Sequence, residues 1–167
     1  MSCGKSTLGK MLSKHLDLTF VDIDSQIELF SKQTISELFL KGEENFRFHE
    51  NQALIKTIEN YESAVIACGG GTPCFHNNIE IIKNSGKSFY LKTKPETIYH
   101  RLTKTRNQRP LFKNLPQNLW LDKIYELLEI REPFYKQAHY IIDGENNALE
   151  RILQCLQYDA DFKKKVF

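Results

Sequence analysis

GKSTLGKMLSKHLDLTFVDID, residues 4–24, sets the architecture of the chain. Leu8, Met11, Leu12 and Leu16 recur at helical spacing, and Leu18–Val21 then reads as a short buried strand that stops at Asp22-Ile23-Asp24. A glycine-led helix feeding a strand, with two carboxylates just beyond the strand, is an α/β pattern in which ligand-binding groups gather at strand ends.

Outward from this run the alternation continues. Ile27, Phe30, Ile35, Leu38 and Phe39 predict two short helices broken around Lys32-Gln33-Thr34, and Phe46, Ala53, Leu54, Ile58 and Tyr61 predict a long amphipathic helix over 43–61. A second strand is expected at Ala64–Ala67, ending on Gly69-Gly70-Gly71, then a helix around Asn77–Asn84 and a strand over Ser88–Leu91. Pro95 opens another helix. A helix from Leu119 to about Tyr135, a strand over His139–Ile142 and a closing helix over Ala148–Gln157 complete the pattern. The stretch 104–117 is basic, poor in apolar residues and holds two prolines, which predicts a mobile loop rather than a linker. With no repeat or low-complexity tract, 1–167 reads as a single α/β domain with a parallel sheet.

Composition narrows the function classes. The 167 residues, 41% of them hydrophobic, suffice for a core without disulfides or structural metal. Lys+Arg 23 against Asp+Glu 21 leaves a net charge of +2, which argues against a nucleic-acid partner. No apolar run approaches the roughly 18 residues of a membrane span, and no signal-peptide core opens the chain, so a cytoplasmic protein without membrane contact is expected. Cys3, Cys68, Cys74 and Cys155 lack metal-binding spacing and read as reduced thiols.

Several short motifs carry chemistry. Gly4-Lys5-Ser6-Thr7 is the second half of the phosphate-binding pattern GxxxxGK[ST], in which Lys5 reaches the β and γ oxygens and Ser6 offers its hydroxyl to Mg²⁺. The same four residues also read as a plain helix start with a solvated lysine. Asp22 and Asp24 suit one metal contact and one acceptor contact, although Asp24 reads equally as a helix N-cap. Arg47 and Glu50, three apart, form either a local ion pair or an oriented guanidinium fork for a carboxylate. Gly69-Gly70-Gly71 permits positive φ and close ligand approach. Arg109 is a lid arginine for phosphoryl charge or a solvated loop residue; Arg131 is a dipole-complementing surface residue or a second anion contact. Together they describe a small-molecule kinase acting on an anionic acceptor.

GKST, the Asp22-x-Asp24 pair, Gly42-Glu43-Glu44-Asn45-Phe46-Arg47 with Glu50, the triple glycine, Arg109-Pro110-Leu111 and Arg131-x-Pro133-x-Tyr135 resemble the shikimate kinase family over essentially the whole chain. The resemblance implies the P-loop kinase fold: a parallel five-stranded sheet flanked by helices, an acceptor-binding segment at about 24–61 and a lid at about 104–117. It also implies ATP- and Mg²⁺-dependent phosphorylation of the 3-hydroxyl of shikimate, giving shikimate 3-phosphate and ADP, in aromatic amino-acid biosynthesis. By those motifs Gly4, Lys5, Ser6 and Thr7 would hold the ATP phosphates, Ser6 would ligate Mg²⁺, and Asp22 would hold the metal through water. Asp24 would bind shikimate hydroxyls and help the attacking one lose its proton. Arg47 and Arg131 would grip the carboxylate with the backbone of Gly69, Gly70 and Gly71 nearby, Arg109 would close over the phosphates, and Arg101 would pack on adenine. A monomer with shikimate and ATP as its partners is expected.

The chain departs from the family pattern at its start. No strand and no first glycine precede Gly4, and Cys3 stands where the family usually has a small residue. Losing that central strand would cost far more than the roughly 5–15 kcal/mol a domain has to spare, so residues upstream of Met1 are expected to supply a hydrophobic strand. Two rival readings stay open: a gluconate-kinase-like enzyme of the same fold, and a nucleotide-binding homologue without turnover. Lys104–Lys113 reads as part of the lid and Lys163-Lys164-Lys165 as a solvated end, not as a nucleic-acid surface.

Overall fold

A computed structural model describes residues 2–104, 112, 115–157 and 165–167. In chain order the elements are α1 (Lys5–Leu16), β1 (Thr19–Asp22), α2 (Ile23–Ser31), α3 (Ile35–Leu40), α4 (Glu43–Asn60), β2 (Ala64–Ala67) and α5 (Asn78–Ser85). There follow β3 (Phe89–Lys92), α6 (Pro95–Thr103), α7 (Trp120–Tyr135), β4 (Tyr140–Asp143), α8 (Ala148–Gln157) and β5 (Lys165–Val166). The alternation read from apolar spacing is therefore the alternation observed, and every strand pair among the described residues is parallel.

Strand β2 shows how the layers form. All four of its residues are buried, and successive side chains leave on opposite faces. Ala64 and Ile66 join Val21, Ile27, Leu38, Phe46 and Leu54 under α2, α3 and α4. Val65 joins Leu12, Ile142, Ile152 and Val166 under α1 and α8. A strand buried on both faces needs an unbroken apolar run, which Ala-Val-Ile-Ala supplies. In register, Asp22 at the end of β1 lies opposite Ala67, so the carboxylates and the triple glycine emerge at one edge.

The described strands pair as β1-β2-β5 and β3-β4, all parallel and flanked by helices, as expected. One expectation is corrected. The tail expected as a solvated end is strand β5: Lys165 and Val166 pair with Ala64 and Val65, and Val166 is 2% exposed. On its other side the Lys87 N–H donates to the Lys165 carbonyl (2.9 Å) and the Phe89 N–H to the Phe167 carbonyl (2.9 Å). Residues 165–167 are thus a seam between the two sheets. Burial of Val166 in the core, with main-chain bonds on both sides, outweighs the preference of the neighbouring lysine for water.

Much of the expected lid, including Arg109 (with Pro110 and Leu111), lies outside the described residues. Near its end the segment is anchored: Phe112 is fully buried edge-to-face on Trp120 at 5.6 Å, and the Trp120 indole donates to the Leu115 carbonyl at 2.9 Å.

Candidate active site

The site assembles where α1 begins and where β1 and β2 end. Gly4 is left-handed (φ 100), which turns the chain into α1 with Lys5, Ser6 and Thr7 in its first turn, where unpaired N–H groups face outward. The Ser6 hydroxyl donates to Asp22 Oδ2 at 2.8 Å, and the Asp24 N–H donates to Asp22 Oδ1 at 3.1 Å. Asp22, not Asp24, is therefore the N-cap of α2. Relieved of that task, the Asp24 carboxylate turns to the glycine turn, where a Cβ added at Gly69 would lie 3.2 Å from its Oδ1.

Glu50 and Thr72 converge on the same point, at 3.1 and 3.0 Å from that added Cβ. Next to Gly69, burial pushes the Cys68 thiol up to about 12, in the combined field of Glu50, Lys5, Asp24 and Asp22.

Arg47 is the best-held side chain in the site. It is 4% exposed, with Nε and Nη2 donating to Glu43 Oε1 (3.2 and 2.9 Å) and Nη1 to Glu50 Oε2 (2.7 Å). The Phe46 and Phe75 rings lie 5.0 and 4.2 Å from its guanidinium carbon. Of its five N–H donors these bonds use three, leaving one on each terminal nitrogen. The ion pair between Arg47 and Glu50 is present, and it fixes the direction of the guanidinium. Burial raises the Glu50 carboxyl above the usual range, against the opposing pull of Arg47 and the Thr72 hydroxyl.

Arg131 is also buried, at 8% exposure, which removes the reading of it as a surface residue. Burial pushes the Cys74 thiol up to about 11, while the charges of Arg131 and Arg47 both pull it down. Arg101 donates to the Cys3 carbonyl at 2.8 Å and so sits against the start of the phosphate-binding segment. A cavity of about 180 Å³ between β2 and β3 is lined by Lys5, Gly69, Gly70, Arg131 and Tyr135 with apolar side chains.

The glycines are needed for a different reason from the one expected. Neither Gly69 nor Gly71 has positive φ. Their missing side chains make room for the protein's own groups: a Cβ at Gly71 would lie 2.6 Å from Arg47 Nη2. Because that guanidinium is pinned on four sides, Gly71→Ala is expected to cost about 1–3 kcal/mol of stability, as overpacking does, and to weaken acceptor binding at least tenfold. Thermal unfolding and the acceptor KM check this.

A model of the family described as shikimate kinase matches residues 1–159. The chain belongs to the shikimate kinase family. It is 38% identical over 146 residues to a shikimate kinase of Bacteroides thetaiotaomicron, covering 87% of this chain and 83% of the relative. The crystal structure of shikimate kinase from that organism superposes with a TM-score of 0.84, covering 94% of this chain and 92% of the other. Shikimate kinase from Acinetobacter baumannii in complex with shikimate, 33% identical, also superposes at 0.84, covering 94% and 88%.

Sequence reasoning missed the polar chain that ties the glycine turn to α4 in this shikimate kinase. The Thr72 hydroxyl donates to Glu50 (2.7 Å), Asn78 Nδ2 donates to the Thr72 carbonyl (2.8 Å), and Asn51 Nδ2 donates to Asn78 Oδ1 (2.7 Å). Thr72 and Asn78 are fully buried. Phe75, on the face of Arg47, was missed as well. No periodic pattern marks such residues; a threonine directly after three glycines was the one available sign.

Proposed function

We propose that this chain transfers the γ-phosphoryl group of ATP to the 3-hydroxyl of shikimate, giving shikimate 3-phosphate and ADP, as a single-domain, monomeric, cytoplasmic enzyme. The observation that carries the reading is the pairing, around one glycine turn, of a carboxylate with an arginine fork: Asp24 faces Gly69 and Arg47 faces Gly71. A small hydroxylated carboxylic acid needs both, one for its hydroxyls and one for its carboxylate. That a family member is known in complex with shikimate supports the same acceptor.

In this reading Lys5 and the N–H groups at the start of α1, with Gly4 and Thr7, hold the phosphates. Ser6 and Asp22, a hydroxyl and a carboxylate 2.8 Å apart, are hard oxygen donors suited to Mg²⁺, which keeps waters and phosphate oxygens as its remaining ligands. Bound there, the ion neutralises phosphate charge. Arg47 and Arg131 clamp the acceptor carboxylate, Asp24 takes the proton of the attacking hydroxyl, Arg101 packs on adenine, and Arg109 neutralises charge on the transferring group. An ADP-release assay offering shikimate, gluconate and nucleoside monophosphates tests this. Turnover with shikimate alone is expected; turnover only with another acceptor, or ATP binding without any turnover, would overturn it.

A further inference from the structure

The middle of the glycine turn is held from α7. Tyr135 donates its hydroxyl hydrogen to the Gly70 carbonyl, and its ring leans on that of Tyr90 in β3 at 5.0 Å. Arg131 lies one turn earlier on the same face of α7, and its charge acts on the same hydroxyl. In a planar trans peptide the C=O and the following N–H point to opposite edges. Fixing the Gly70 carbonyl towards α7 therefore fixes the Gly71 N–H away from it. That N–H has no main-chain partner among the described residues. Its Cα packs against the Arg47 guanidinium, which keeps one N–H on each terminal nitrogen.

We infer that Tyr135 is a positioning residue whose bond to Gly70 aims the Gly71 N–H, beside the Arg47 fork, at the acceptor's carboxylate. The inference rests on the acceptor reading above, glycine backbone included, and adds to it the side chain that orients that backbone. The Thr72 N–H closes the turn on the Gly69 carbonyl at 3.1 Å, but the central Gly70–Gly71 peptide can still flip, because glycines admit both turn types. Tyr135 removes that freedom before the acceptor arrives, which is where preorganisation adds to affinity.

Tyr135→Phe keeps the ring on Tyr90 and deletes only the hydroxyl. With one charge-assisted hydrogen bond to the carboxylate misaimed, the shikimate KM is expected to rise about tenfold. The ATP KM should stay within about twofold and the thermal midpoint within about 2 °C, a split that a general loss of structure would not produce. In ¹⁵N-labelled protein the Gly71 amide resonance is expected to move on adding shikimate to the wild type and to move much less in the variant. An unchanged shikimate KM, or an equal rise in both KM values, overturns the inference. If the wild type neither binds nor phosphorylates shikimate, the acceptor reading fails by itself. The positioning role is then judged on the free protein: a Gly71 amide with the same shift and hydrogen exchange in both forms overturns it, and a displaced, faster-exchanging one supports it.

Discussion

An Arg47→Met variant will lose about 3–5 kcal/mol of stability at pH 7.5, and acceptor phosphorylation with it, because the change leaves Glu50 charged and uncompensated in the core. The sign with pH follows from Glu50. Its carboxyl is already raised by burial, and Arg47 is the main group pulling it back. Without Arg47 it rises further. A group raised in the folded state contributes its stability below the unfolded value, near 4.5 for glutamate, and loses it as pH climbs through the folded value. The deficit of Arg47→Met should therefore be smaller at pH 5 than at pH 7.5. Adding Glu50→Gln should recover most of the stability and none of the activity. Denaturant unfolding at the two pH values measures both effects; a deficit independent of pH would show that the Glu50 charge is not its source.

Asp24→Asn is expected to lower kcat for acceptor phosphorylation by about 10²–10⁴, the range for removing a positioned proton acceptor. Its stability should barely change, since the cap of α2 belongs to Asp22 and an amide fits the same volume beside Gly69. ATP binding should also be intact, because Lys5, Ser6 and Asp22 are untouched. Steady-state kinetics with equilibrium nucleotide binding separates the two. A variant that keeps full kcat would remove Asp24 from the chemistry, and one that loses ATP affinity would move it to the phosphate side.

The elements were legible wherever apolar residues repeat with one period, as Leu8, Met11, Leu12 and Leu16 do on α1. Strand β5 was not, because the last lysine of a run and one valine carry no period, and only the partners at Val65 and Lys87 make Val166 a core residue. In the site, residues whose chemistry demands their type were visible: Lys5, Asp22, Asp24, Arg47 and Arg131. Those that act by tertiary hydrogen bonding were invisible. Thr72 meets Glu50 across 22 positions and Tyr135 meets Gly70 across 65, and no local rule connects such pairs. The division between Asp22 and Asp24 lies between these cases. Both carboxylates could be named from the strand end, but which one caps the helix depended on where α2 begins.

Strand β5 also bears on the order of assembly. Its bonds to Val65 and Lys87 close loops of roughly 100 and 80 residues, a search the chain completes only after the short-range contacts of α1 with β1 and α2 with β1 exist. Until then one edge of β2 offers unpaired main chain beside apolar side chains, the type of surface that recruits other chains. Recovery on refolding should accordingly fall with protein concentration more steeply for a Val166→Asp variant than for the parent, even in conditions where both, once folded, remain in solution.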